Sequence, residues 1–374
     1  MDKHQRSETR PKLEPFCKLA DPSTYVACAW DLTADMAARR HWVEFFKRHI
    51  RTILDLGHEA GVARGRVAED MARAVEACGI EFDATFDALV AQEACDERLT
   101  ILALDARRDA LLHKHGFQDA FIDLKHRENE KMLPLLPRVC RQIDALSGSE
   151  QLRAIIEGVF AGNIFDMGAE ATAKQFLGGD APSFFSTRNK LPKRPWLIDD
   201  LDALERRLLR GTPYRKAVFF IDNAGSDFLL GALPMIRWLA QRGTRVVLTA
   251  NERPTLNDMT IHDVNGWWPR ILEVEPSLRD LLIDRVSSGT GEPLIDLLGV
   301  SPELNRGAAD ADLVILEGMG RGVESNIDAQ FNCDALNLAM LKDAKVAGRI
   351  GGKLYDVVCQ FKQNVPENAT PLSS

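Results

Sequence analysis

The stretch AVFFIDNAG (217–225), SDFLLGALPMIRWLAQRG (226–243) and TRVVLTAN (244–251) decides the fold. Its two ends are short apolar runs rich in Val, Phe and Leu, suited to buried strands, and between them lies a longer segment with helical spacing. Gly243 stands where a helix C-terminus takes a residue with positive φ, just before the second run. Strand, helix, strand in this order predicts a parallel pair joined by a crossover helix. Further strands are expected in DLLIDRVSSG (280–289), PLIDLLG (293–299) and DLVILEG (312–318), with LNLAML (336–341) and LYDVVCQF (354–361) completing the sheet. The fold class predicted is α/β, a three-layer core on a parallel sheet, with an α-helical domain at its N-terminal side.

Upstream of this unit the periodicity changes. From Asp31 to Ala145 apolar residues return every three or four positions, as in WVEFFKRHIRTILDLGHEAG (42–61) and FDALVAQEACDERLTILALDARRDALLHKHG (86–116), which predicts helices. The Arg and Lys on these segments are interspersed with Asp and Glu, the pattern of solvated faces. A break at Ser147-Gly148-Ser149 marks the expected boundary, with Ser149 as N-cap of a helix ending near Gly158 to Gly162. A connector marked by Pro182, Pro192, Pro195 and Pro213 follows. The division expected is a helical region at 1–148, an α/β core at 149–365 and a disordered tail at 366–374.

The 374 residues are 45% hydrophobic and 27% charged, an ordinary globular composition. A net charge of -8 offers no positive field to a phosphate backbone, so no nucleic-acid partner is expected. The seven cysteines (17, 28, 78, 95, 140, 333 and 359) are scattered without a CxxC, which suggests free thiols in a reducing compartment. The N-terminal stretch is polar and no apolar run approaches the length that spans a bilayer, so a cytoplasmic protein without membrane contact is expected.

Ligands of open α/β sheets collect at the carboxyl ends of the strands, and three polar clusters fall there. Asp222-Asn223-Ala224-Gly225-Ser226-Asp227 follows AVFFI; its leading acid is either a cation ligand or a helix cap. Asn251 to Asp258 follows RVVLTA. Asp258 lies 36 residues after Asp222 (258 minus 222), room for one helix and one strand returning to the same edge. Two Asp and an Asn carbonyl make a hard oxygen set suited to Mg²⁺ or Mn²⁺, while locally Asn257-Asp258 also reads as a helix start. Glu317-Gly318-Met319-Gly320-Arg321 follows DLVIL, where glycine-turn amides and Arg321 suit a phosphate, or simply form a turn. It is neither a dinucleotide fingerprint nor a Walker loop, so kinase activity is not expected.

Taken together, GVFAGNIFDMGA (158–169), VFFIDNAGSDFLLGALP (218–234), VVLTANERPTLNDMT (246–260) and DLVILEGMGRGVESN (312–326) resemble the damage-control phosphatase family. The EGMGR string resembles its subfamily II, which includes plant stand-alone proteins and the C-terminal phosphatase half of animal pantothenate-kinase-like proteins. The resemblance continues through AQFNCDALNLAMLKD (329–343) and IGGKLYD (350–356), covers roughly residues 116–360, and is weak over 1–115. It implies a metal-dependent phosphatase with Asp222, Asn223 and Asp258 as metal ligands and Asp222 and Asp258 as the catalytic acids. Glu317, Gly318, Met319, Gly320, Arg321, Asn163 and Lys353 would then form the substrate side.

The cofactor implied is a divalent cation, Mn²⁺ or Mg²⁺, with Co²⁺ or Ni²⁺ as further candidates. The partner implied is a small phosphorylated metabolite: 4'-phosphopantetheine or its oxidised or damaged derivatives, in metabolite damage control of coenzyme A metabolism. Attack by Asp222 through an aspartyl-phosphate and attack by an activated water both remain open. Two other enzyme readings compete, a broad sugar-phosphate phosphatase and an S-adenosylmethionine-dependent carboxyl methyltransferase. A non-catalytic module, in which these acids only cap helices, is the third.

Overall fold

The computed structural model describes residues 12–91, 97–164 and 184–364. Pro182, Cys95, the end of the 158–169 string and the tail at 366–374 lie outside them. The first half is helical: α1 (Met36–Ala63), α2 (Ala68–Ala91), α3 (Ile101–Lys114), α4 (Ile122–Met132), α5 (Leu136–Asp144) and α6 (Gly148–Asn163). In α1 the residues at helical spacing, Trp42, Val43, Phe46, Ile50, Ile53 and Leu54, are the buried ones. Asp35 caps this helix by accepting from the Ala38 amide at 2.9 Å. The cap expected at Ser149 is displaced: Ser147 takes the N-cap position of α6. Ser149 lies within the first turn, where its hydroxyl donates to Glu205.

A seven-stranded sheet follows, of β1 (Ile198–Asp199), β2 (Lys216–Phe220), β3 (Arg245–Ala250), β4 (Ile283–Ser287), β5 (Leu313–Glu317), β6 (Asp334–Met340) and β7 (Val357–Lys362), in the order β1-β7-β6-β5-β2-β3-β4. α7 (Phe184–Lys190) precedes β1, and the helices between the strands are α8 (Leu201–Glu205), α9 (Leu233–Gln241), α10 (Ile261–Val274), α11 (Pro302–Ala308) and α12 (Ala344–Arg349). Successive residues of β2 point to opposite faces, so Ala217 and Phe219 join one apolar core and Val218 and Phe220 another. Both faces are covered, which is the three-layer α/β arrangement expected.

Two strand expectations change. The segment 354–361 supplies β7, but β7 runs antiparallel to β6, so the sheet is mostly rather than wholly parallel. The segment 293–299 forms no strand; its Leu294, Ile295 and Leu297 are buried one at a time by a loop that fills space beside the sheet. An apolar run by itself does not distinguish these outcomes. Gly243 has φ +91° and ends α9 as expected.

The buried faces of α1 to α3 form a core that also contains Ala339, Leu341 and Val358 from the sheet, so the helical half is seated on the α/β half through shared apolar packing. No helix among the described residues is long and apolar enough to cross a membrane. The six described cysteines are free thiols.

The loop from β3 into α10 is fixed by a reciprocal cap: the Thr260 hydroxyl accepts from the Asp263 amide, and the Asp263 carboxylate accepts from the Thr260 amide, both at 3.0 Å. Thr260→Ala removes the side-chain half of this box and is expected to lower unfolding stability by about 1 kcal/mol. Chemical denaturation checks this, and an unchanged midpoint would contradict it.

Candidate metal centre and cleft

β2 sits between β3 and β5, and the chain crosses over it after β4, which makes the carboxyl end of β2 a point where the winding direction reverses. The three clusters expected at strand ends all meet there. The loops are joined through their backbones: the Met259 amide donates to the Asp222 carbonyl at 2.9 Å, and the Ala224 amide donates to the Asn257 carbonyl at 2.9 Å. Asn223 and Asp258 are paired as an isolated antiparallel bridge. Asp258 is thus held beside Asp222 by main-chain bonds rather than by chance packing. Neither acid caps a helix, since Thr260 caps α10 and Asp222 bonds elsewhere.

The Arg321 guanidinium lies between the two acids, donating to Asp222 and, at 2.7 Å, to Asp258; the Asn251 carbonyl oxygen accepts from it at 3.2 Å. Asn251 also donates to Asp258 at 3.1 Å. On the far side of Asp222 the Asn163 amide donates to Asp222 at 3.2 Å, to Asp227 at 2.9 Å and to Glu317 at 3.3 Å. Glu317 accepts from the Asp222 backbone amide at 3.0 Å. Asp227 accepts from both the backbone and the side-chain amide of Asn223, at 3.1 and 3.0 Å, and Asp222 accepts from that same side-chain amide at 2.9 Å. With its nitrogen held by the two acids, the carbonyl oxygen of Asn223 is turned away from them.

Four carboxyl groups are packed around the Arg321 guanidinium in a buried site: Asp222, Asp227, Asp258 and Glu317 are each no more than 6% exposed. If all ionised, they would carry three more negative charges than Arg321 balances, with Lys342 acting on Asp222 and Arg108 on Asp258 through space. Burial pushes the Asp222 carboxyl up, Arg321 pulls it back and Asp258 and Asp227 push it further, to about 8. Burial and the neighbouring Asp227 and Asp222 hold Glu317 well above the usual carboxylate range. Burial alone would lower Arg321, but Asp258 and Asp222 raise it further and keep it charged.

A cleft of about 170 Å³ opens over this centre. Asp222, Asn223, Asn257 and Asp258 reach it from the sheet loops, together with Met319 and Gly320; Lys342 follows β6. From the helical half come Trp42, Phe45, Phe46 and His49 of α1 and Ile101, Asp105 and Arg108 of α3. The Arg108 guanidinium is engaged by Asp105, by Asp109 at 2.8 Å and by the Thr255 hydroxyl at 3.1 Å.

The EGMGR string is divided by this geometry. Met319 and Gly320 line the cleft, whereas Glu317 and Arg321 lie beneath it and hold Asp222 in place, as does Asn163. Gly318 is the point of closest approach, with φ +98° and room for no side chain: a Cβ there would lie 2.1 Å from an Asp222 carboxylate oxygen. Lys353 is not brought to the cleft; it is exposed in the turn before β7, and Lys342 is the lysine at the cleft wall. Asp227 and Asn251 fall inside the two clusters quoted from the sequence but had no role there. The signal for Asp227 was its spacing of four from Asn223, which lets it accept the Asn223 amide.

Asp222, Asn223 and Asp258 fit a hard divalent cation by donor type and by their place at the cleft. The carboxylate oxygens of Asp222, Asp227 and Glu317 also lie within 4.8 Å of one another. This second set is spanned by the Asn163 amide, and neither Asp227 nor Glu317 lines the cleft. The Asn163 carbonyl oxygen and one oxygen of Asp227 are buried without a hydrogen-bond partner among the described residues, as expected of a centre organised around an added positive charge.

A family model, the damage-control phosphatase ARMT1-like domain, matches residues 38–358. The chain belongs to that family. Membership thus reaches through α1 to α3, well beyond the 116–360 over which the sequence strings resembled it. Within the family's relatives, the chain is 43% identical over 267 residues to "Damage-control phosphatase At2g17340" of Arabidopsis thaliana, covering 68% of this chain and 70% of that one. It is 37% identical over 384 residues to Arabidopsis "Pantothenate kinase 2", covering 94% and 42% of the two. It is 30% identical over 401 residues to "4'-phosphopantetheine phosphatase" of Mus musculus, covering 93% and 48%. The chain therefore spans less than half the length of the last two. A DUF89 family protein of Pyrococcus horikoshii shares the fold with TM-score 0.60 over 87% of this chain and 98% of that one, at 19% identity.

Two outcomes follow. Gly318→Ala forces either Asp222 or the strained backbone to move and is expected to lower stability by about 2 kcal/mol, with loss of cation affinity; calorimetric titration and thermal unfolding read both. Because cation binding requires the ionised carboxylate, Mn²⁺ or Mg²⁺ titrated at pH 7 should release protons and bind more tightly as pH rises towards 8. In the cation-free protein the sign for stability is opposite: the folded Asp222 holds its proton up to about 8 while the unfolded one loses it near the ordinary 3.8, so stability falls across that interval. Titration in buffers of different ionisation enthalpy would expose an absent proton release.

Proposed function

We propose that this chain is a divalent-cation-dependent phosphatase acting on small phosphate monoesters, with 4'-phosphopantetheine or its oxidised or damaged derivatives as substrate, in metabolite damage control. The observation that carries the reading is the excess of buried carboxyl groups around one guanidinium at the floor of a cleft, inside a fold of the damage-control phosphatase family. Asp222, Asn223 and Asp258 would hold the cation, Mn²⁺ or Mg²⁺. When bound there, the cation supplies charge neutralisation and orientation at the phosphoryl group.

The chain's own residues supply the remainder. Arg321 fixes the separation of Asp222 and Asp258, so the site costs little reorganisation when a substrate arrives. Asp227 sets the orientation of the Asn223 amide, and the Asn163 side-chain amide and the Asp222 backbone amide donate to Asp227 and Glu317 and fix them in place. At the cleft wall Lys342, rather than Lys353, would meet the phosphate, with Gly320 lining the same cleft. The substrate assignment draws on the printed name of the murine relative and on subfamily resemblance. A reducing, cytoplasmic location fits the free thiols. The methyltransferase and non-catalytic readings lose their support, because Asp222 and Asp258 are neither helix caps nor parts of a nucleotide loop.

The test is a screen of the metal-reconstituted protein against 4'-phosphopantetheine, fructose 1-phosphate and other monoesters, with a chelated control. Phosphate release should appear only with the cation, favour 4'-phosphopantetheine and fall to background in a folded Asp222→Ala variant. Undiminished release by that variant would place the active centre elsewhere, and a preference for fructose 1-phosphate would favour the sugar-phosphate reading.

A further inference from the structure

Of the carboxyl groups that line the cleft, one is bound to nothing. Asp222 and Asp258 receive the Arg321 guanidinium, Asp105 receives Arg108, and Asp343 caps α12 by accepting from the Lys345 and Val346 amides at 2.8 and 2.9 Å. Glu324 lies on the turn that brings Met319 and Gly320 to the cleft, and it has no hydrogen-bond or ion-pair partner among the described residues. Its side chain is only partly buried, and neither carboxyl oxygen is sealed in the interior.

A second cavity, of about 380 Å³, shares Glu324 and Ile101 with the cleft and reaches the exposed Val26, Asp328 and Arg349. The charged groups that act most strongly on the Glu324 carboxyl are Asp105, Asp343, Lys342 and Asp222. All four line the cleft and none lines the second cavity, so the carboxyl belongs to the cleft side. Burial raises it first, the three acids raise it further and Lys342 draws it back, to about 8. Cys28 faces it from the segment before α1. His49, Arg108 and Asp258 are the other titratable or charged groups at the cleft. Glu324 is therefore a carboxylic acid at neutral pH, with a proton and no acceptor for it in the chain.

We propose that Glu324 is the general acid of the reaction, donating its proton to the bridging oxygen of the phosphate monoester as that oxygen leaves. The inference rests on the phosphatase reading and deepens it at the same site. An alcohol departs with difficulty as an alkoxide, and a positioned acid spares it that charge. In the step, the bond from phosphorus to the alcohol oxygen breaks, and both its electron pair and the Glu324 proton end on that oxygen. One water is consumed: its oxygen and one proton stay with the phosphate, and its other proton restores Glu324.

The experiment compares benzyl phosphate, whose alcohol is a poor leaving group, with 4-nitrophenyl phosphate, whose phenolate leaves without a proton. Glu324→Gln keeps the shape of the side chain and removes the acid. With saturating cation it is expected to lower kcat for benzyl phosphate on the order of a hundredfold more than for 4-nitrophenyl phosphate. In the wild type, kcat for benzyl phosphate falls as pH rises through the Glu324 titration, and the variant lacks that limb. Equal losses on the two esters would give Glu324 a structural or binding role and overturn the inference, as would no loss on either. If the variant does not fold, a series of wild-type measurements on substituted phenyl phosphates and benzyl phosphate decides. A shallow dependence of kcat on leaving-group acidity is expected, and a steep one sinks the proposal. Should the wild type release no phosphate from any monoester with any cation, the phosphatase reading itself fails and takes this inference with it.

Discussion

The buried guanidinium of Arg321 between Asp222 and Asp258 is the interaction on which the site depends. Two carboxylates brought this close repel, and in a dry environment the repulsion is large enough to shift their protonation or move the loops apart. A lysine would supply the charge but not the planar fork that reaches two separate acids in fixed directions. Arg321 spans the loops after β2 and β3 from a third position, after β5, and so ties together three consecutive strands of the sheet. Its burial is tolerated because both ends of the fork are occupied.

Around that contact the structure is layered by distance from the cleft. Asp222, Asn223 and Asp258 face the opening. Asn163, Asp227 and Glu317 stand behind them, and every contact described for these three runs back to the Asp222-Asn223 pair or among themselves. The main-chain pairing of Asn223 with Asp258 adds a restraint that no side-chain substitution removes. Asp222, Asn223 and Asp258 are thereby held in place before any ligand arrives.

Much of this was legible in the sequence. The apolar run before Asp222 identifies a strand end, so Asp222 and Asn223 were candidates by position, whereas Asp258, eight residues past Ala250, read locally as a helix start and became a candidate ligand through the family resemblance. The role of Arg321 was not legible, because a glycine-rich turn followed by an arginine suggests an anion at the surface, and only the fold reveals that the side chain turns inward. Lys353, a candidate through the family resemblance, is exposed and does not line the cleft, because the chain turns outward before β7. The segment 293–299 shows the limit of apolar runs, which record burial without recording a pairing partner. Trp42 and Arg108 sit on helices whose periodicity marks them as interior, and periodicity is silent on whether the interior is a core or a cavity wall.

The cleft draws its chemistry from one half of the chain and much of its lining from the other. Asp222 and Asp258 come from strand-end loops held by main-chain bonds, whereas Trp42, Phe45 and Phe46 come from a helix seated by apolar packing. Mutations on α1 can therefore reshape what fits while the acidic floor keeps its form. Such a division lets a lineage diverge in molecular preference by drift on a single helix surface, with the hydrolytic apparatus inherited intact.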